Sequence, residues 1–183
     1  MAKKKGTQAR RAVETPYRTL LEEALEAWGF AREGVIEEVE NLPADRFDFR
    51  PALESRSVTE LVQHIIESGL MMAGELTRPD GDFRRQSFGE FIEEYAGHVE
   101  EVESKTGLLR LLRDSHAEGD EKFRAVGELA ILQYIYRYDG LPGTRLAWLH
   151  HGIAHEEYHR GQLAVYARGL GRVPALTQRI LGA

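Results

Sequence analysis

Apolar residues return every three or four positions along four separate stretches of this chain, and that period commits most of it to amphipathic helices. Leu21, Ala24, Leu25, Trp28, Val35, Ile36 and Val39 mark the first. Thr15 and Pro16 predict its N-cap and first-turn proline, and Asn41-Leu42-Pro43 its end, giving a helix over 16–41. The second is expected over 58–76, opened by Ser57 and Glu60 spaced as a capping box and striped by Leu61, Val62, Ile65, Ile66 and Met72. A third is expected over 105–127. A fourth runs over 145–169, capped by Thr144 and stopped by Gly171 and Pro174. Residues 88–103 read as a shorter acidic helix, and 129–138 fits a strand and a helix equally well. No alternation of strands and helices supports an α/β reading. The expectation is an all-α fold: an antiparallel four-helix bundle with a crossover connection and an extra short helix.

At 183 residues the sequence suits one domain, expected over 15–183. Residues 1–13 carry five basic groups and no acidic one, which predicts a disordered basic tail over 1–14. The remaining residues hold 19 basic against 30 acidic groups. An acidic body repels phosphate backbones, so no nucleic-acid partner is expected. No apolar run reaches the ~20 residues of a membrane span, and no apolar segment follows the basic start as in a secretory signal. The chain contains no cysteine. That excludes disulfides, thiolate ligands and a cysteine nucleophile, and it fits a cytoplasmic location.

The chemistry-bearing residues crowd into the fourth helix, where His150, His151, His155 and His159 fall within ten positions. His155 and His159 are one turn apart on one face, and Trp148, Leu163, Tyr166 and Leu170 share their strip. Arg160, Glu157 and Arg168 are expected opposite it. Two imidazoles pointing into a bundle need partners for both nitrogens, which a shared metal ion or a set of tyrosine, glutamate and backbone partners would supply. His98 and His116 lie in acidic helices and are expected at the surface.

His155, Glu156 and His159 also spell H-E-x-x-H, the zinc-protease helix in which the glutamate is general base. That chemistry needs a further ligand downstream. The 24 residues after His159 contain no Asp, Glu or His. A third ligand must come from upstream, where His151 and His64 are the candidates. His151 lies eight residues before His159, roughly 12 Å along a helix axis, too far for metal–nitrogen bonds of ~2.0–2.1 Å to share one ion. His64 flanks the apolar stripe of the second helix, within reach of an antiparallel neighbour.

The run from Ser57 to His64, the run from His151 to Gln162 and the trailing stretch from Ala167 to Pro174 together resemble the DinB/YfiT-like superfamily. The likeness extends over roughly residues 18–173. It implies a divalent ion held by one histidine of the second helix and two of the fourth, which map onto His64, His155 and His159. The position of His151 is often histidine in such sequences and is not generally a ligand. It further implies a small-molecule enzyme, either a transferase or isomerase using glutathione, mycothiol or bacillithiol, or a metal-dependent hydrolase. One zinc or nickel ion per chain, a small-molecule substrate that includes a low-molecular-weight thiol among the candidates, and a homodimer are the accompanying expectations. The competing reading is a non-catalytic metal-binding or dimerising bundle. Glu156 and His151 receive no catalytic role, and no catalytic residue is assigned. With ordinary imidazole values, metal affinity would fall as pH drops through about 6.5.

Overall fold

The computed structural model of the protein describes residues 17–182. The basic start and the Thr15–Pro16 cap lie outside that range. Seven helices are described: α1 (Leu20–Asn41), α2 (Val58–Thr77), α3 (Phe88–Ala96), α4 (Lys105–Val126), α5 (Glu128–Ile131), α6 (Arg145–Gly169) and α7 (Ala175–Leu181). A hairpin of β1 (Tyr134–Tyr136) and β2 (Pro142–Thr144) precedes α6, with Ile135 opposite Gly143. The all-α bundle is therefore as expected, and the ambiguous segment 129–138 divides into a helical turn and a short strand.

Local chemistry sets the helix ends. α1 starts at Leu20, four residues later than the sequence reading, because Thr19 Oγ1 accepts from Glu22 N at 3.1 Å. Ser57 and Glu60 form the expected reciprocal box at the start of α2, and Ser87 with Glu90 repeats it for α3. Thr144 caps α6 through Ala147 N. Orphan carbonyls at two helix C-termini are met by basic side chains from other elements. Lys105 Nζ donates to Glu40 O and Leu42 O at the end of α1, while Arg145 reaches Leu76 O, Arg78 O and Pro79 O at the end of α2. Gly127, at φ 76°, takes the left-handed conformation that ends α4.

The four long helices pack around one core in the cyclic order α1, α6, α2, α4. Consecutive helices α1 and α2 sit on one diagonal and α4 and α6 on the other, so residues 42–57 and 127–144 both cross an end of the bundle. Tyr166 meets Arg56 and Arg145 meets Leu76, which makes α2 and α6 antiparallel. That pairing brings the middle of α2 to the middle of α6.

The deepest contact of the bundle is ionic. Arg32 on α1 and Glu156 on α6 are each 2% exposed and form a forked pair, Nε to Oε2 at 2.8 Å and Nη2 to Oε1 at 2.7 Å. Trp28 Nε1 donates to the same carboxylate at 2.6 Å, and Arg32 Nη1 reaches Leu112 O and Ser115 Oγ on α4. A side-chain methyl at Gly69 of α2 would sit 2.7 Å from Arg32 Nη2, so this glycine lets the guanidinium lie against α2 as well. Arg160, expected on an outer face, is 5% exposed. Its guanidinium lies over Phe30 and against Gly34, because α6 is buried on its α1 side as well as its α2 side.

Removing one partner of a buried ion pair leaves the other charge desolvated and uncompensated. Arg32→Met is expected to lower the unfolding free energy by about 3–5 kcal/mol in urea titrations. The double change Arg32→Met/Glu156→Leu should recover much of that, short by about 1–3 kcal/mol for the unpaired Trp28 N–H. A loss under about 1 kcal/mol in the single variant, the scale of a surface pair, would show that the pair does not hold the bundle.

Candidate metal centre

Three imidazoles meet where α2 crosses α6. His64 Nε2 lies 3.1 Å from His155 Nε2, which lies 2.9 Å from His159 Nε2, and the three ligand atoms all fall within 4.8 Å of one another. His155 and His159 share a face because they are one turn apart, and His64 reaches them from the antiparallel helix. His159 is 4% exposed and the other two are half-buried. His151 is exposed and stands outside the cluster, with its ring against Trp148. His98 is exposed as expected. His116 is not: it is half-buried, 4.5 Å from the Trp28 ring, because that face of α4 turns toward α1.

Proton bookkeeping shows what the cluster suits. A neutral imidazole nitrogen offers one in-plane site, either a proton or a lone pair. His155 Nε2 has two nitrogen neighbours at hydrogen-bond distance and can satisfy only one. Four-coordinate metal bonds of ~2.0–2.1 Å put ligand nitrogens about 3.3 Å apart, close to the separations found here. The donor set and its spacing therefore fit a divalent cation. His159 Nδ1 is 2.7 Å from Gln162 Oε1, an acceptor, which places the ring proton on Nδ1 and leaves the Nε2 lone pair facing its neighbours. The sequence carried the signal for Gln162, three residues on and on the same face, but a lone Gln does not announce an orienting role.

Glu156 points the other way. Both oxygens are engaged by Trp28 and Arg32, so it is not placed as the general base of a zinc-protease helix. Burial, more than any nearby charge, keeps the rings neutral. Burial, with the Arg56 guanidinium and the neighbouring imidazoles, pushes His64 down to about 3. Burial and His159 push His155 down to about 4. His159 is lowered by burial, against the opposing pull of the Gln162 hydrogen bond.

Two cavities open at His64. One, of about 1070 Å³, is a wide, mostly acidic groove that includes Asp48, Glu67 and Glu100, with Glu60 paired to Arg50. The other, of about 300 Å³, lies between α2, α6 and the hairpin and is lined by both His64 and His155. Its aromatic walls were not legible in the sequence, since Phe83 and Tyr138 sit in connections with no periodicity.

Helices of these lengths, joined across both diagonals and carrying three imidazoles between the second and last long helices, define a class of helical-bundle proteins with a preformed histidine cluster. The DinB family matches residues 16–181, and the chain belongs to that family. No curated protein is detectably similar in sequence. Solved structures share the fold. A DinB-like protein from Bacillus subtilis is 23% identical, with 82% of this chain and 93% of that one covered at a TM-score of 0.63. YfiT from Bacillus subtilis, described as a probable metal-dependent hydrolase with an unusual four-helix bundle topology, is 14% identical, with 89% and 94% covered at 0.66. A mycothiol-dependent maleylpyruvate isomerase is 16% identical, with 80% of this chain but 63% of the isomerase covered at 0.65. No described helix is long and apolar enough to cross a membrane.

The buried rings tie stability to pH. Their folded-state values lie below the ~6.5 of an unfolded imidazole, so between about 4 and 6.5 the unfolded chain holds protons that the folded chain does not. The stabilising share of neutral burial is complete above 6.5 and is lost as pH falls through that window. The metal-free protein should melt at progressively lower temperature from pH 7 to pH 4, and His64→Phe should flatten the slope. An unchanged slope in that variant would show that His64 is not held neutral by burial. By the same logic, metal retention should persist below pH 6.5, lower than ordinary imidazole values suggest.

Proposed function

We propose that His64, His155 and His159 hold one divalent cation, zinc or nickel, and that the protein is a metal-dependent enzyme acting on a small molecule, as a thiol-dependent transferase or a hydrolase. The observation that carries this is the convergence of three neutral imidazole nitrogens beside two cavities. Neutral ligands leave the cation its full charge, and three protein ligands leave room for a substrate or nucleophile. A cation bound there supplies Lewis acidity and activates a nucleophile near neutral pH. The chain's own part is positional. Gln162 fixes the His159 tautomer, the Glu156–Arg32 pair fixes the rotation of α6, and Arg56 adds positive charge at the rim, suited to an anionic nucleophile. With no cysteine in the sequence, any thiol is exogenous. The likeness to a mycothiol-dependent isomerase and to a probable hydrolase supports both branches of the reading. We expect the working unit to be a homodimer in the cytoplasm.

Metal content decides the ligand set. Purified protein should hold about one equivalent, and His64→Ala, His155→Ala and His159→Ala should each lose it, while His151→Ala keeps it. Gln162→Leu is expected to weaken affinity about 10–100-fold, the usual effect of losing a partner that orients a ligating histidine. Retention of the ion in His64→Ala together with its loss in His151→Ala would overturn the assignment. Activity is tested by assaying the loaded protein against epoxides, maleyl compounds, esters and amides, with and without glutathione, mycothiol and bacillithiol. Turnover that is unchanged in His159→Ala would rule out metal catalysis.

A further inference from the structure

The connections after α2 and α4 build one wall of the smaller cavity. Phe83 comes from the loop after α2, Phe88 from the first turn of α3, Tyr138 from the hairpin, and Trp148 from α6, and Met71 and Met72 of α2 complete the apolar lining. The aromatic rings hold one another. Phe83 sits 5.0 Å from both Tyr138 and Trp148, and Phe88 sits 6.4 Å from Tyr138. Phe83 N donates to Tyr136 O, so loop and hairpin are joined through the backbone. Arg137 lies 5.6 Å from the Trp148 ring centre and pairs with Asp139. The loop itself is anchored by Glu75, a fully buried carboxylate that accepts from Asp82 N, from Arg85 and from Tyr95 Oη. Walls tied at this many points do not need a ligand to form.

Charge and size narrow the occupant. Glu156 is the one lining side chain with a formal carboxylate or guanidinium charge, and its oxygens are committed to Trp28 and Arg32. The Tyr138 hydroxyl is turned onto Met71 Sδ at 3.1 Å. An anionic ligand would find no free guanidinium or ammonium among the lining side chains. A dry apolar cavity of about 150 Å³ accepts benzene, so about 300 Å³ suits a substituted ring or a two-ring system. We propose that this cavity is the recognition pocket of the site and takes an uncharged aromatic group of one to two rings, with the bond to be attacked lying at its His64–His155 end. The inference rests on the metal-site reading for the reaction, but not for the binding.

The test is therefore made on binding. Metal-stripped protein is titrated calorimetrically with indole and with indole-3-carboxylate, which differ by one carboxylate, so that coordination to an ion plays no part. Indole should bind saturably at one site and at least tenfold more tightly than its carboxylate. Ser68→Phe, which fills the cavity, and Trp148→Ala, which removes a wall, should each weaken indole at least tenfold in protein whose circular dichroism shows it folded. Absence of saturable indole binding, equal binding of the two probes, or indole binding undiminished in both folded variants would overturn the proposal. If the variants do not fold, the comparison of the two probes on the unaltered chain still decides. Protein that binds indole but takes up no metal would sink the metal reading and leave the pocket standing. Protein that takes up one metal but ignores indole would do the reverse.

Discussion

The Arg32–Glu156 pair sets the rotation of the last long helix, and the histidine cluster depends on that rotation. Glu156 follows His155 directly, so its side chain leaves α6 about 100° around the axis. With the carboxylate locked toward α1 by a forked guanidinium and an indole N–H, the imidazoles of His155 and His159 turn toward α2. A slip of α6 by one residue would place a histidine against Arg32 and swing the cluster away from His64. Apolar packing alone is tolerant of such slips, since the faces of α6 carry similar mixtures of residues. A bidentate ion pair with a fixed geometry is not tolerant. The same pair reaches α4 through Leu112 O and Ser115 Oγ, so all four long helices meet at Arg32, with Gly69 giving it space on α2.

This arrangement explains how a chain with acidic excess keeps three adjacent imidazoles neutral. Carboxylates near a histidine ordinarily raise its pKa and draw it toward the charged state. Here the nearest carboxylate, Glu156, is already neutralised by Arg32, and Glu60 of the wide groove is paired with Arg50. Burial then outweighs what pull remains, and the positive charge of Arg56 adds to it. The result is a set of lone pairs held ready for a cation.

Much of the fold was legible because its elements are long. The stripes of α1, α2 and α4 are regular, and Ser57–Glu60 and Thr144 are caps whose chemistry needs no tertiary context. The early start assigned to α1 came from Thr15–Pro16, a plausible cap, whereas Thr19 takes the role at Leu20. Arg160 and His116 were read as outward because charge and polarity usually mark a solvated face. In the interior of a four-helix bundle, a helix touching two neighbours buries more than one stripe, and a long guanidinium can lie flat over a ring. α7 and the split of 129–138 were missed for a different reason. Segments of three to seven residues carry too few positions for a period, and their structure is decided by what they pack against. For the site, spacing revealed His155 and His159, while the meeting with His64 is a property of helix pairing that no local pattern contains.

The molecule divides its work between two kinds of structure. The bundle fixes the histidines through buried charge and close packing. The connections close one side of the cavity beside them, against α2 and α6, and are fastened to the bundle at two polar points. Arg145, the first residue of α6, donates to three carbonyls at the end of α2, and Glu75, near that end, holds the following loop and α3. Both points sit at the far end of α2 from Ser57, about three turns beyond the level of His64 and two beyond that of Ser68. Side chains such as Phe83, Phe88 and Tyr138 project from these anchored connections and not from the helices that carry His64, His155 and His159. Substitution among them changes the shape and polarity of the cavity without moving a ligand nitrogen. A bundle built on this plan can hold its histidines in place while the cavity beside them changes with the connections, so fold and local chemistry are free to vary separately.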